Sequence, residues 1–267
     1  MTTSRDRDPL WPRPSQLQQA LASGRDDQLV LWIALNSPSV VEIAGAAGID
    51  AVIIDLEHAA FGLEAAEAMT IAAERAGMTV LARPGGGDLS QVTRLLDLGV
   101  SGIVFPMMER PAQAAAARSA LRYPPSGTRG WGGSHVRRVR WTGPEALRTA
   151  DYLQAADECL LSIFLIETPA GADAIEEILD AGTPDAVIFG WGDFGVAVGF
   201  DPVAARTAAE GVYRACRARG VGVARDPATQ LAPDFYPGCF TVAGVDSTLI
   251  SGALQAQVRA LRGGPGG

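Results

Sequence analysis

The chain has 267 residues, 22 basic against 30 acidic side chains and a net charge of −8, and every basic side chain is arginine. Without lysine there is no ε-amine to form a Schiff base with a carbonyl substrate, to carry pyridoxal phosphate or to serve a phosphate-binding P-loop. The acidic balance does not suit a polyanion such as DNA, whose affinity comes from neutralised phosphates, and no apolar run reaches the roughly 18 residues of a membrane span.

Residues 1–14 are polar and charged and read as a flexible start, unlike a secretory leader. A short helix over Ser15–Ala22 follows, placed to cap the floor of whatever comes next. From there, β-branched apolar runs alternate with stretches rich in Ala, Leu, Glu and Arg. The predicted strands are Leu29–Leu35, Ala51–Asp55, Thr79–Ala82, Gly102–Phe105, Leu160–Ile166, Ala186–Phe189, Val221–Ala224 and Phe240–Val245. Helices are predicted over 38–47, 64–76, 89–98, 111–121, 144–156, 169–181, 203–219 and 247–262. Apolar strands separated by helices indicate βαβ units and a parallel sheet covered on both faces. Eight of each in about 250 residues indicate an α/β protein of the (β/α)8 TIM-barrel class. It forms one domain over 15–262, with a disordered tail at 263–267. The cysteines Cys159, Cys216 and Cys239 are odd in number and lack metal or redox spacing, which suits reduced thiols in the cytoplasm.

Active sites of this fold lie at the C-terminal rim of the strands. The residues at the predicted exits are Asn36; Asp55, Glu57 and His58; Arg83; Pro106 and Met107; Glu167; Asp193; Arg225; and Asp246. Glu167 and Asp193, on neighbouring strand ends, either share a hard divalent cation or each cap the helix that follows. His58, beside two carboxylates, is either a general base near neutral pH or a helix-terminal histidine closing a surface hydrogen bond. Arg83, opening into Pro84 and three glycines, suits an oxyanion or a carboxylate, or else a salt bridge to a rim carboxylate. Asn36, Arg225 and Asp246 are read as structural. The cluster Arg137, Arg138 and Arg140 is read as a solvated or intersubunit salt-bridge patch, since nothing aromatic or RNA-like accompanies it.

Several strings then carry a resemblance: Leu31-Trp32, Ile54-Asp55-Leu56-Glu57-His58-Ala59, Arg83-Pro84, Leu95-Leu96-Asp97-Leu98-Gly99, Pro106-Met107, Arg122-Tyr123-Pro124-Pro125-Ser126-Gly127-Thr128-Arg129-Gly130, Ile166-Glu167-Thr168 and Gly244-Val245-Asp246-Ser247-Thr248. In order and spacing the chain resembles the HpcH/HpaI family of metal-dependent pyruvate aldolases. That group includes 4-hydroxy-2-oxoheptanedioate and 2-dehydro-3-deoxyglucarate aldolases, and the match runs from about Leu31 to Ala260. The resemblance implies a carbon–carbon lyase that forms or cleaves a bond through a pyruvate enolate, converting a 4-hydroxy-2-oxo acid to pyruvate and an aldehyde. It implies a divalent ion (Mg²⁺, Mn²⁺ or Co²⁺) on Glu167 and Asp193, a base at His58 tuned by Asp97, and a transition-state arginine at Arg83. The same resemblance assigns the pyruvate carboxylate to backbone amides near Gly192 and Asp193, where a short helix starts. It leaves Trp32 as either pocket wall or barrel core, and implies a homo-oligomer, a hexamer in the family, with exchanged C-terminal helices.

Three departures stand out, one of them the stretch Arg225-Asp226-Pro227 after the seventh strand. Leu165 occupies the place of a substrate-touching Gln in many of these aldolases. The usual Gly-Pro-x-Asp-Leu-Ser after the sixth strand is here Gly190-Trp191-Gly192-Asp193-Phe194-Gly195. The alternatives are another metal-enolate reaction of the superfamily, citrate-lyase-like or citrate-synthase-like, or a non-catalytic barrel. An Asp where His58 stands marks the lyase-like branch, and the full set of five site residues argues against a lapsed site.

Overall fold

The computed structural model describes residues 12–133, 136, 150–226 and 240–263. Eight strands, β1 (Leu29–Ile33), β2 (Ala51–Asp55), β3 (Thr79–Arg83), β4 (Gly102–Phe105), β5 (Leu161–Ile166), β6 (Ala186–Phe189), β7 (Gly222–Arg225) and β8 (Phe240–Val245), pair in parallel and in order. β8 returns to β1, so the sheet is a closed barrel. The protein is a (β/α)8 TIM barrel.

Side chains alternate across each strand, and both faces are covered, which is why the strands read as unbroken apolar runs. One set fills the barrel interior: Val30, Ile53, Leu81, Val104, Ile163, Leu165, Ile188 and Phe240. The intervening set, including Val52, Ile54, Val80, Ile103, Phe164, Val187 and Phe189, packs outward under the helices. The N-terminal helix α1 (Gln16–Ser23) closes the floor as expected. Its Leu17 is fully buried in the interior set, and the Leu17 amide donates to Thr79 Oγ1 at 3.3 Å.

The outer helices are α2 (Pro38–Ala46), α3 (Leu63–Arg75), α4 (Ser90–Leu98), α5 (Pro111–Leu121), α6 (Ala150–Glu158), α7 (Pro169–Asp173), α8 (Ile175–Gly182), α9 (Trp191–Ala197), α10 (Pro202–Ala218) and α11 (Asp246–Leu261). Three begin with the same device, a capping oxygen followed by proline: Ser37-Pro38, Thr168-Pro169 and Asp201-Pro202. The side chain satisfies an orphan amide, and proline occupies a position whose N–H has no partner to lose.

Differences from the sequence expectation are local. The stretch 169–181 is two helices, because Ala174 (φ −94°, ψ 12°) leaves the helical range between them. β1 stops at Ile33, two residues early, because the next amides leave the ladder: those of Ala34 and Leu35 donate to the Asp246 carboxylate at 2.9 and 3.1 Å. Asp246 is thereby the structural tie expected of it, joining the β1 exit to the start of α11. Arg225 is also structural, donating to the Asp26 carbonyl at 2.6 Å. From residue 248 to 263 every residue of α11 and its end is exposed. Residues 144–149 of the predicted sixth helix, the cluster Arg137, Arg138 and Arg140, residues 1–11 and 264–267, and Cys239 lie outside the described residues. Among the described residues no helix is long and apolar enough to cross a membrane.

Candidate active site

Parallel register brings the ends of β2 and β3 level, with Asp55 directly opposite Arg83. The two side chains form a bidentate pair in which Arg83 Nε donates to Asp55 Oδ1 at 2.9 Å and Nη2 to Oδ2 at 2.6 Å. Nη1 remains on the cavity side, 3.1 Å from Glu57 Oε2 and 3.8 Å from Glu167 Oε1. The guanidinium carbon lies 4.6 Å from the centre of the Trp32 ring, so a flat face of the cation is covered by indole. Arg83 thus makes the rim salt bridge and still presents one nitrogen to the carboxylates of the site.

Glu167 immediately follows β5 and is 3 % exposed. Its Oε2 accepts the Met107 amide at 2.9 Å. Burial pushes its carboxyl up to about 7; the Met107 amide and Arg83 oppose the shift, and the negative charges of Glu57 and Asp193 add to it. Asp193 sits in the first turn of α9 and is exposed at the mouth. Neither carboxylate caps a helix: Thr168 caps α7, and α9 starts at Gly190 with no side-chain cap. Gly190 is there for space, since a Cβ would fall 2.4 Å from Glu167 Cγ. Burial raises Glu57 as well, although Arg83 and His58 pull the other way. In Asp55 burial is outweighed by the Arg83 fork and by the amides of Glu57 and His58, so its carboxyl stays below the usual range.

These groups meet in one cavity of about 300 Å³. Asp55, His58, Arg83, Glu167, Gly192, Asp193 and Asp226 form its polar side, and its apolar side includes Trp32, Leu165, Ile188 and Val242. Of the residues singled out from sequence, His58, Arg83, Glu167, Asp193, Gly192, Trp32 and Leu165 therefore line the same space. His58 is at the open edge, its side chain 64 % exposed and its Nε2 4.0 Å from Glu57 Oε2. Asp97 is not in the lining: it lies on α4, with its carboxylate 3.7 Å from Arg129. The sequence reading allowed Arg83 a salt bridge to a rim carboxylate without naming Asp55 and Glu57 as its partners, and it gave no role to the Met107 amide. The Asp-x-Glu-His string at one strand exit is the signal for the first two; a backbone donor leaves none.

The model of the family "HpcH/HpaI aldolase/citrate lyase" matches residues 28–232. The chain belongs to this family. A 4-hydroxy-2-oxo-heptane-1,7-dioate aldolase of Escherichia coli is 31 % identical over 252 residues, covering 91 % of this chain and 93 % of the relative. A hydroxypyruvate/pyruvate aldolase of Deinococcus radiodurans is 33 % identical over 190 residues, covering 71 % of this chain and 66 % of the relative. Among solved structures, an HpcH/HpaI aldolase/citrate lyase family protein from Burkholderia cenocepacia J2315 superposes with a TM-score of 0.83. It is 27 % identical, with 93 % of this chain and 99 % of that one covered. As a family member with named aldolases as relatives, the protein is an enzyme of carbon–carbon bond chemistry, a lyase of the pyruvate-aldolase type.

The donor set of the cavity fits a divalent metal ion. Four carboxylates (Asp55, Glu57, Glu167 and Asp193) interact around one guanidinium, so negative charge is in excess, and all the anionic donors are hard oxygens. Among the described residues there is no cluster of three or more His, Cys, Asp or Glu arranged as ligands. Glu167 and Asp193 would supply two positions and leave the others to water and substrate oxygens.

Proposed function

We propose that the protein is a divalent-metal-dependent aldolase that makes and breaks the bond between the methyl carbon of pyruvate and the carbonyl carbon of an aldehyde. Glu167 and Asp193 would hold the ion, Mg²⁺, Mn²⁺ or Co²⁺. When bound, it supplies Lewis-acid polarisation of the oxo acid and offsets the negative charge that develops on its keto oxygen.

The chain's own groups do the rest. Arg83, packed against the Trp32 ring and anchored by Asp55, directs Nη1 toward the developing charge. His58, beside Glu57 at the mouth, is the base. In the cleavage direction it takes the proton of the 4-hydroxyl as the C3–C4 bond breaks; the electron pair of that bond passes to the three-carbon fragment, and His58 returns the proton at C3, so that the fragment leaves as pyruvate. Backbone amides at Gly192 and Asp193 receive the oxo-acid carboxylate. Leu165, where a Gln is usual in the family, gives the donor pocket an apolar wall.

The observation that carries this reading is Glu167 itself: a buried carboxylate among like charges beside an arginine already committed to Asp55. Cleavage of a 4-hydroxy-2-oxo acid, followed by coupled detection of pyruvate, should be abolished by EDTA and restored by Mg²⁺ or Mn²⁺. Undiminished activity after thorough chelation would rule the reading out.

We further infer a cytoplasmic homo-oligomer. The support for assembly is α11, whose Leu249, Ile250, Leu254, Val258 and Leu261 are 39–76 % exposed along one helix. Apolar exposure on that scale suits burial against another copy.

A further inference from the structure

The loop after β4 carries no side chain into the cavity, yet it is fastened to Glu167 at its centre. Met107 has φ +52°, the left-handed region that costs any residue with a Cβ. Met107 is 41 % exposed, so side-chain packing does not account for that conformation.

Gln113, in the first turn of α5, does. Its Oε1 accepts the amides of Glu109 at 3.0 Å and Arg110 at 2.9 Å, and its Nε2 donates to the Met107 carbonyl at 3.1 Å. On the other side of the same residue, the Met107 amide donates to Glu167 Oε2. Other ties keep the loop against the β5 exit. The Met108 amide donates to the Leu165 carbonyl at 3.2 Å, and the Thr168 hydroxyl donates to Glu109 Oε1 at 2.9 Å. Gly171 allows the Met108 carbonyl to approach where a Cβ would meet it at 2.3 Å.

The result is a division of labour between two oxygens. Oε2 is occupied by a backbone amide, and Oε1 faces Arg83 at 3.8 Å. We propose that Gln113 is a positioning residue for Glu167: by holding Met107 in the left-handed conformation it aims an amide at Oε2, fixes the rotation of the carboxylate and leaves Oε1 for the cation. This rests on the reading of Glu167 as a metal ligand. Groups that orient a ligand in this way typically change metal affinity about 10- to 100-fold when removed. A role limited to capping α5 would change the stability of the metal-free protein and nothing else.

The test is titration of the full-length protein with Mn²⁺ by calorimetry, alongside melting of the metal-free form, for wild type, Gln113→Ala, Gln113→Glu and Gln113→Ala with Met107→Gly. Gln113→Ala should weaken Mn²⁺ binding about 10- to 100-fold. Gln113→Glu keeps both amide acceptor bonds, and with them the cap of α5, but sets a carboxylate oxygen against the Met107 carbonyl, so it should displace Met107 and weaken binding while α5 stays capped. Adding Met107→Gly to Gln113→Ala should restore affinity toward wild type, because glycine takes a positive φ without steric cost. Unchanged Mn²⁺ affinity in both single variants, or weak binding that Met107→Gly fails to rescue, overturns the inference. Wild type that takes up no Mn²⁺ overturns the metal-ligand reading, and this inference with it.

Discussion

A carboxylate as buried as Glu167 ordinarily sits on a counter-charge, and the cation nearest to it, Arg83, is already engaged by Asp55 at 2.6 and 2.9 Å. Its proton is therefore held up to about 7, against 4.5 for an unhindered glutamate. The sign of the linkage follows. Between these two values the folded state binds more protons than the unfolded one, so metal-free stability should fall as pH rises through that window and level off above it. A divalent ion competes with that proton, and Mn²⁺ affinity should drop by about tenfold per pH unit below 7. Thermal melts at pH 6 and pH 8, with and without Mn²⁺, check both halves: the gain in Tm from metal should be larger at pH 8. An equal gain at the two pH values would mean that Glu167 is not a ligand.

At the scale of elements, the site is a junction between strand exits and two short structures that lean on them, the β4–α5 loop and α9. The entry to α9 is tight because Gly190 packs on Glu167, whereas at Gly192 a Cβ would meet nothing within 4 Å. Gly190→Ala should push the Glu167 side chain off its place, with an overpacking cost of about 1–3 kcal/mol and a loss of Mn²⁺ binding. Gly192→Ala should leave Mn²⁺ affinity near wild type. Calorimetric titration of the two variants separates a steric requirement at one glycine from general intolerance of the segment. α9 itself is not visible as a helix in the sequence beyond its start: seven residues with two glycines offer no apolar period to read. The strands, by contrast, are legible nearly to the residue. A parallel strand covered on both faces must be apolar throughout, and polar residues enter only where the barrel opens to solvent. The roles of Asp55 and Met107 needed the structure. The Asp55–Arg83 pair depends on register between strands 28 residues apart in sequence, and Met107 acts through an amide that every residue but proline has.

For the whole molecule, the barrel is closed and its floor is packed by α1; among the described residues, exposed apolar side chains line α11 from Leu249 to Leu261, and others, Phe200 and Val203 among them, lie elsewhere on the surface. A groove lined by Leu35, Ile250, Leu254 and Val258 runs along that helix. Leu254→Glu should shift the protein toward the monomer in sedimentation velocity, while folding of the barrel, followed by circular dichroism, should be little changed because Leu254 is 62 % exposed within its own chain. A wild-type protein that sediments as a monomer at micromolar concentration would remove the assembly reading. The missing lysine also acts at this scale. No lysine in the sequence can form a Schiff base, so in the proposed reaction the charge formed on the oxo acid would be met by Arg83 and a cation instead.

That requirement is most directly tested by solvent-deuterium exchange into the methyl group of pyruvate, followed by NMR, since it reports proton abstraction without any knowledge of the aldehyde. The wild-type enzyme with Mg²⁺ or Mn²⁺ should exchange the methyl protons, and EDTA or His58→Ala should stop the exchange while circular dichroism shows an intact barrel. Full exchange in the chelated enzyme, or in His58→Ala, would contradict the assignment of a metal-assisted proton transfer to this site.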